Sequence, residues 1–432
     1  MKNNFVNKNK LILIFSIIIS GMILYTSSDR SIIIHIGALL FLTVIACALG
    51  KFDIYNPYVW YSSFFFIYAS AYPILYLTGY ITKYGYSKET MIYQWIALST
   101  ILLVLPSYTI KFTSNKDINI EKNGVLKAVE NLVLLFICIV LIIILRGSYA
   151  NKTEIYASKN IIFSIAFSMT YFAILLYCYM LFRKLTLSNK KFVWIILKYG
   201  MVVCSFAIIT GERDYMFTFL LVTLIILFYF KKISKGQLLI MVPIGSMLIP
   251  LSSIFKYYML SGNVSGTFSM NNLLVEILDG EFISAGRNLQ ILVSHNCKNI
   301  FEGKSLLNDF VRIFYNTGFS NQTWFNETYF SYSHSTQYGF TLVGEGYLNG
   351  GVIGIIIVFL ICGLLLRILY KNSNRNQYYM IIYLYMIPLF IYSTRADIAN
   401  IFSPLIKYAI LGTLFIYLIN KLSFRKKGMK IL

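Results

Sequence analysis

Twelve apolar runs follow one another along the 432-residue chain, and they limit its fold more than any other feature. A helix that crosses a bilayer needs about 20 apolar residues, because the hydrocarbon is about 30 Å thick and each residue rises 1.5 Å. The runs at 11–27, 31–50, 57–81, 91–110, 126–145, 161–182, 193–211, 215–230, 238–255, 341–366, 379–393 and 398–420 are read as spans. Two are weak: 215–230 is short, and 379–393 is shorter and carries Pro388. Backbone groups in hydrocarbon must be satisfied within the segment, so the spans are helices. The expectation is an all-α polytopic membrane protein, one integral membrane domain over 1–432. With 58% hydrophobic and 13% charged residues, a soluble globular enzyme and a disordered chain are both excluded. The basic start (Lys2, Lys8, Lys10) resembles a signal peptide, but Met22-Ile23-Leu24-Tyr25 offers no small-residue cleavage site. The first run is therefore read as a retained helix.

The net charge of +21 would suggest nucleic acid in a soluble protein. Here it reports orientation. With the N-terminus in the cytoplasm and strict alternation, 23 of the 38 Lys and Arg fall on the inside and 13 outside. Acids go the other way, 13 of 17 outside. This is the positive-inside pattern, and it puts both termini in the cytoplasm with no nucleic-acid partner implied. Five of the six cysteines lie in apolar runs, and no CxxC or other metal pattern occurs. The many aromatics (17% of the chain) are expected first as interfacial anchors.

One loop is long. Residues 256–338, between expected spans 9 and 10, form an extracytoplasmic segment. Leu306, Leu307, Phe310, Val311 and Phe314 recur at the spacing of one helix face, as do Leu273, Leu274, Ile277 and Leu278. Both stretches are expected as helices lying on the membrane surface.

With no soluble domain, chemistry must sit in or against the bundle, where ionisable groups near spans default to function. On the outer side, Thr210-Gly211-Glu212-Arg213-Asp214 and Thr394-Arg395-Ala396-Asp397 each place an Arg and an acid between apolar runs. Each reads as an Arg–acid pair closing a turn, or as half of an anion clamp, since the guanidinium fork suits a diphosphate. Arg287, in Ala285-Gly286-Arg287-Asn288, is a third cation for that clamp, and Arg312 reads as the polar face of its helix. Gly346, Gly350 and Gly354 repeat every four residues, which suits close approach of another helix. Glu345 beside them is a general base or a group that holds an Arg in place, and His334 is an alternative base. Trp324 and Tyr338 belong to an aromatic and amide-rich stretch suited to sugar rings or to the interface. Lys407 lies in the middle of its span, where it pairs with a buried carboxylate or Tyr or lines a cavity. Lys198, near an inner end, is expected to snorkel.

The whole chain resembles the Wzy-type oligosaccharide repeat-unit polymerases of O-antigen and capsule synthesis. The resemblance rests on the many-span layout with one large outer loop, on Gly211-Glu212-Arg213, on Glu345-Gly346-Tyr347-Leu348-Asn349-Gly350-Gly351-Val352-Ile353-Gly354, and on Arg395-Ala396-Asp397. His334 followed by Glu345 is loosely similar to the related ligases. The resemblance implies transfer of a growing glycan from undecaprenyl diphosphate to a sugar hydroxyl of the next lipid-linked repeat, at the outer face of the inner membrane. It implies no nucleotide sugar, no cofactor and no metal. The chain-length regulator is a further partner to expect. On this reading Arg213 and Arg395 meet the diphosphate, with Arg287 third. Glu345 or His334 takes the acceptor proton, and Asp214, Asp397, Tyr338 and Trp324 contact substrate. A lipid-linked oligosaccharide flippase, an O-antigen ligase and a non-catalytic export protein are the alternatives. Lys407 favours the flippase; the long outer loop and the outer-face charges favour transfer.

Overall fold

The computed structural model describes residues 2–106, 124–147, 160–184, 189–230, 277–315, 317–330 and 339–428, with residues 155, 158, 232–234, 237 and 275. Among these residues there is no strand. The helices are α1 (Lys2–Thr26), α2 (Ile32–Leu49), α3 (Pro57–Leu77), α4 (Lys88–Val104), α5 (Gly124–Arg146), α6 (Ile161–Lys184), α7 (Asn189–Thr210), α8 (Arg213–Tyr229), α9 (Ile283–Ser294), α10 (Lys304–Arg312), α11 (Asn321–Phe330), α12 (Leu342–Ser373), α13 (Gln377–Ser393), α14 (Ala399–Pro404) and α15 (Leu411–Gly428). A wider helical turn, Leu278–Phe282, leads into α9, and another, Leu405–Ile410, joins α14 to α15.

Eleven of the twelve expected spans coincide with helices, and the run at 238–255 lies outside the described residues. Seven segments are long and apolar enough to cross a membrane: Lys8–Thr26, Ile32–Leu49, Gly124–Arg146, Ile161–Phe182, Lys191–Thr210, Leu342–Ser373 and Ala399–Leu422. The helices α4, α8 and α13 stop at 17 residues each, and α3 is diluted by Tyr and Ser.

The chain divides into two compact units. The first holds residues 1–111, 269–375 and 390–403. Within it α1 packs on α2, α2 on α3, α3 on α9, and α4 along α12. Its helix starts carry local caps: Asn56 accepts the Tyr58 N–H at 3.0 Å, Ser87 that of Glu89 at 3.2 Å, and Thr341 that of Gly344 at 3.4 Å. Phe65 meets Phe359 edge to face in the core, at 5.9 Å.

The second unit holds residues 112–268, 376–389 and 404–432. Its interior is rich in tyrosine. Tyr177 packs on Tyr199 and Phe219 and shares a 2.6 Å hydrogen bond with Thr223, while Tyr171 stacks on Tyr408. Across both units Tyr55, Tyr58, Tyr61, Tyr72, Tyr177, Tyr179, Tyr199, Tyr370, Tyr383 and Tyr385 are fully buried. Much of the aromatic content is therefore core, because large rings fill helix interfaces efficiently, and the interfacial expectation is corrected for these residues. Lys198 differs from expectation too. It binds Glu130 at 2.9 Å and Asn131 at 2.9 Å, joining α7 to α5.

The long loop is partly described. The expected helix through Leu306 and Phe314 is α10. The other expected surface helix lies mostly outside the described residues. Leu273 and Leu274 lie outside the described residues, and Ile277 and Leu278 lead into α9, whose residues 283–293 are all buried. The reason is close packing. A methyl at Gly286 would stand 3.0 Å from Tyr72 Cβ and 3.2 Å from the Ala69 carbonyl oxygen, so the missing side chain lets α9 lie against α3.

Candidate functional site

Five polar side chains from four segments meet inside the first unit. Asp309 and Arg312 come from α10, Asn321 opens α11, Glu345 sits in the first turn of α12, and Asp397 ends the turn after α13. One nitrogen of Arg312, Nη1, donates to Asp309 Oδ1 at 2.6 Å and to Asp397 Oδ2 at 2.9 Å. Asn321 Nδ2 donates to Asp309 Oδ2 at 3.1 Å and to Glu345 Oε1 at 3.3 Å. The backbone N–H of Ile398 donates to Glu345 Oε2 at 2.7 Å. Asp309, Asn321, Glu345 and Asp397 are all buried, and the Arg312 side chain is largely so.

The electrostatics follow from that dryness. The Asp309 and Glu345 carboxyls share the Asn321 amide and are both shut off from solvent, so each disfavours a charge on the other. Burial raises the Asp309 carboxyl above the ordinary carboxylate range. The hydrogen bond from Glu345 lowers it, the Asp397 charge raises it and Arg312 lowers it, leaving the net shift upward. Burial works against the charge on Arg312, yet Asp397 and Asp309 hold it more firmly protonated than usual. Among the described residues no set of three His, Cys, Asp or Glu side chains is spaced to hold a metal ion.

A second layer fixes this cluster. Ser305 donates to Asn349 Oδ1 at 3.0 Å, and Asn349 Nδ2 reaches the Glu345 carbonyl at 2.8 Å, tying α10 to α12. The helix α12 is kinked at Gly350 and Gly351, and Gly351 has φ +58°. Across the kink the helix folds against itself. A methyl at Gly346 would stand 2.6 Å from Ile355 Cα, and one at Gly354 would strike the Gly346 carbonyl. Gly346 and Gly354 thus permit a self-contact of α12, which corrects the expected approach of another helix.

The Arg395 turn is held by the strand-like segment before α12. Phe340 N–H donates to the Arg395 carbonyl at 2.7 Å and Leu342 N–H to that of Thr394 at 3.3 Å. Gly339 is the junction. Its carbonyl accepts the Asn288 amide, and a methyl on it would lie 2.9 Å from the Arg395 carbonyl oxygen and 3.0 Å from Ser284 Oγ. The chain around Arg287 and that around Arg395 are thereby brought together. Arg287 donates through Nε to Asn288 Oδ1 at 3.1 Å and lies over Phe330 at 5.2 Å. Burial pushes the Asp279 carboxyl up, and the nearby Arg287 charge draws it back. The Arg395 guanidinium lies over Tyr392 at 4.9 Å. Asp397 is one of the two acids on Arg312, so the expected Arg395–Asp397 closing pair is corrected: Asp397 serves α10 and the Asn400 amide.

Beside the cluster, Trp324 meets Phe301 edge to face at 4.9 Å, and Phe301 meets Phe319 at 5.7 Å. Arg213 opens α8 in the second unit after Gly211, which has φ +72°. The Arg213 side chain lies outside what is described, and Asp214 is half-buried in the same turn. His334 and Tyr338 lie outside the described residues. Lys407 is exposed in the turn before α15, so it is not held in a buried cavity of its unit. The sequence does not mark Asp309, marks Arg312 only as the polar face of its helix, and holds Asn321 only within the aromatic and amide-rich stretch. Asp309 and Arg312, at i and i+3, sat opposite the apolar stripe of α10, a pattern that a solvated face shares.

Residues 10–427 match the family described as O-antigen polysaccharide polymerase Wzy. Searches of curated proteins and of solved structures gave no match.

Proposed function

The chain belongs to the O-antigen polysaccharide polymerase Wzy family, and from that premise we propose that it moves a growing glycan from undecaprenyl diphosphate to a sugar hydroxyl of the next lipid-linked repeat unit. Family and apolar helices together make it a multi-pass bacterial membrane protein that polymerises lipid-linked oligosaccharide. The proposed layout has twelve spans, both termini in the cytoplasm and the 256–338 loop at the outer face of the inner membrane.

The reaction breaks the bond between the anomeric carbon and the diphosphate oxygen and forms one to the acceptor oxygen. Negative charge grows on the diphosphate and a proton leaves the acceptor. Preorganised cations lower the barrier where that charge appears. Arg395, with Arg287 and Arg213, is assigned to the diphosphate, so the reaction as proposed calls on guanidinium groups and no metal. His334 is assigned to the acceptor proton. Asp214 and Asp397 orient the arginine turns, and Trp324 and Tyr338 line the sugar path. Glu345 is better placed to position than to take a proton: it accepts the Ile398 N–H, faces Asp309, and so holds the turn that carries Arg395.

The observation that carries this reading is the Gly339 junction, which gathers the Arg287 and Arg395 segments, with the Arg395 turn bonded to the buried acid cluster at Asp397 and Ile398. Arg213→Ala is expected to leave cells displaying single-repeat glycans. A normal long-chain ladder at normal membrane protein level would remove Arg213 from the clamp.

A further inference from the structure

The helix α10 is amphipathic with its polar side turned inward. Asp309 is 1% exposed and Ser305 3%, whereas Leu307 is 69% exposed, Val311 50% and Phe314 81%. In a helix surrounded by water the reverse would hold, because an apolar stripe seeks the core. The polar face is used up inside: Ser305 on Asn349, Asp309 on Asn321, Arg312 on Asp309 and Asp397.

Those same bonds set the depth of the helix. Ser305 is pinned to Asn349, in the second turn of the apolar segment Leu342–Ser373. Arg312 is pinned to Asp397, two residues before the apolar segment that begins at Ala399. Phe310 also packs on Phe402, at 5.2 Å. Both ends of α10 are thus tied close to the starts of segments built to cross a membrane. A helix held there, with an apolar stripe facing out, lies at the boundary between headgroups and acyl chains. Lys304, exposed at one end, is suited to reach the headgroups.

We infer that α10 with Phe314 and Tyr315 is seated in the lipid leaflet, Leu307, Val311 and Phe314 among the acyl chains, and that this seat holds Asp309 and Arg312 in the buried cluster. The occupant of the exposed face is bilayer lipid. The lipid contact and the polar cluster share one short helix of nine residues, so displacing one face displaces the other.

The test places a photo-crosslinking phenylalanine analogue at 307 or at 314 of the full-length protein in phospholipid nanodiscs. Reference positions are 353, exposed within an apolar segment, and 302, an exposed acid. Lipid adducts at 307 and 314 matching those at 353, with loss of adduct at 302, are the expected result. Adducts at the 302 level would put the helix in water and overturn the inference. A crosslink to a second copy of the chain would also overturn it, assigning the face to self-association. The labelling needs no turnover, so it stands whether or not the polymerase assignment does. A second arm uses Leu307→Glu with Phe314→Glu in cells: long-chain glycan is expected to be lost at unchanged membrane level. An unchanged ladder would show that the lipid seat does not hold the cluster.

Discussion

Lys198 and Arg312 are both largely buried cations held by acids, and they differ in how their charge is balanced. Lys198 meets one carboxylate, Glu130, and one amide, Asn131. The set is neutral and closed, and it joins two helices of one unit. Arg312 meets Asp309 and Asp397, and Asp309 in turn faces Glu345. One guanidinium there serves two carboxyls, and a third, Glu345, shares the Asn321 amide with Asp309. A closed buried pair adds little that well-packed apolar groups would not. A set with surplus acid depends on a proton, and its members come from four segments. The first arrangement joins two helices; the second sets the position of the turn that carries Arg395.

Removing each cation tests that contrast. Arg312→Met strands buried carboxylates and is expected to have the largest effect: polymer lost from the glycan ladder, and unfolding in detergent easier by about 3–5 kcal/mol before allowance for the partial exposure of the side chain. An intact ladder at normal protein level would take Arg312 out of the site. Lys198→Met comes next. It leaves Glu130 buried and unpaired, at a cost of up to about 3 kcal/mol. Adding Glu130→Gln should restore most of the lost stability, and the ladder should be long in the double variant. If the double variant makes only single repeats, the two assemblies are alike after all.

Asp309→Asn is the mildest change, because an amide keeps the shape and several hydrogen bonds. The Asp309 carboxyl is raised in the folded protein, so the folded state holds its proton more tightly than the unfolded chain does. Its contribution is favourable in acid and is lost as pH rises through the raised value. Relative to wild type, Asp309→Asn should therefore gain most in melting temperature at pH above the raised value, with the difference shrinking as pH falls toward the ordinary carboxylate range. A difference that grows in acid would reverse the assignment.

Much of this was legible beforehand in one dimension. Apolar run length marked eleven helices, including the weak 379–393 segment, because a bilayer imposes its constraint residue by residue. The short motifs marked Glu345, Arg287, Arg395 and Asp397 as residues near the site. Their partners were not legible. The bond between Arg312 and Asp397 spans 85 positions, and nothing in either local sequence names the other. The helix α11 escaped notice because Asn321–Phe330 has polar and aromatic residues without apolar periodicity; it is held instead by rings around Phe325.

The sequence by itself determined that this chain crosses a membrane many times as helices, and which family it belongs to, since hydropathy and short motifs are local properties. Only the tertiary structure decided that α9 is core, that α12 folds on its own glycines, and that Asp309 and Asp397 share one guanidinium. Those outcomes depend on which segments pack together, and packing is settled by close approach at Gly286, Gly339 and Gly346, where the absence of a side chain lets one backbone touch another.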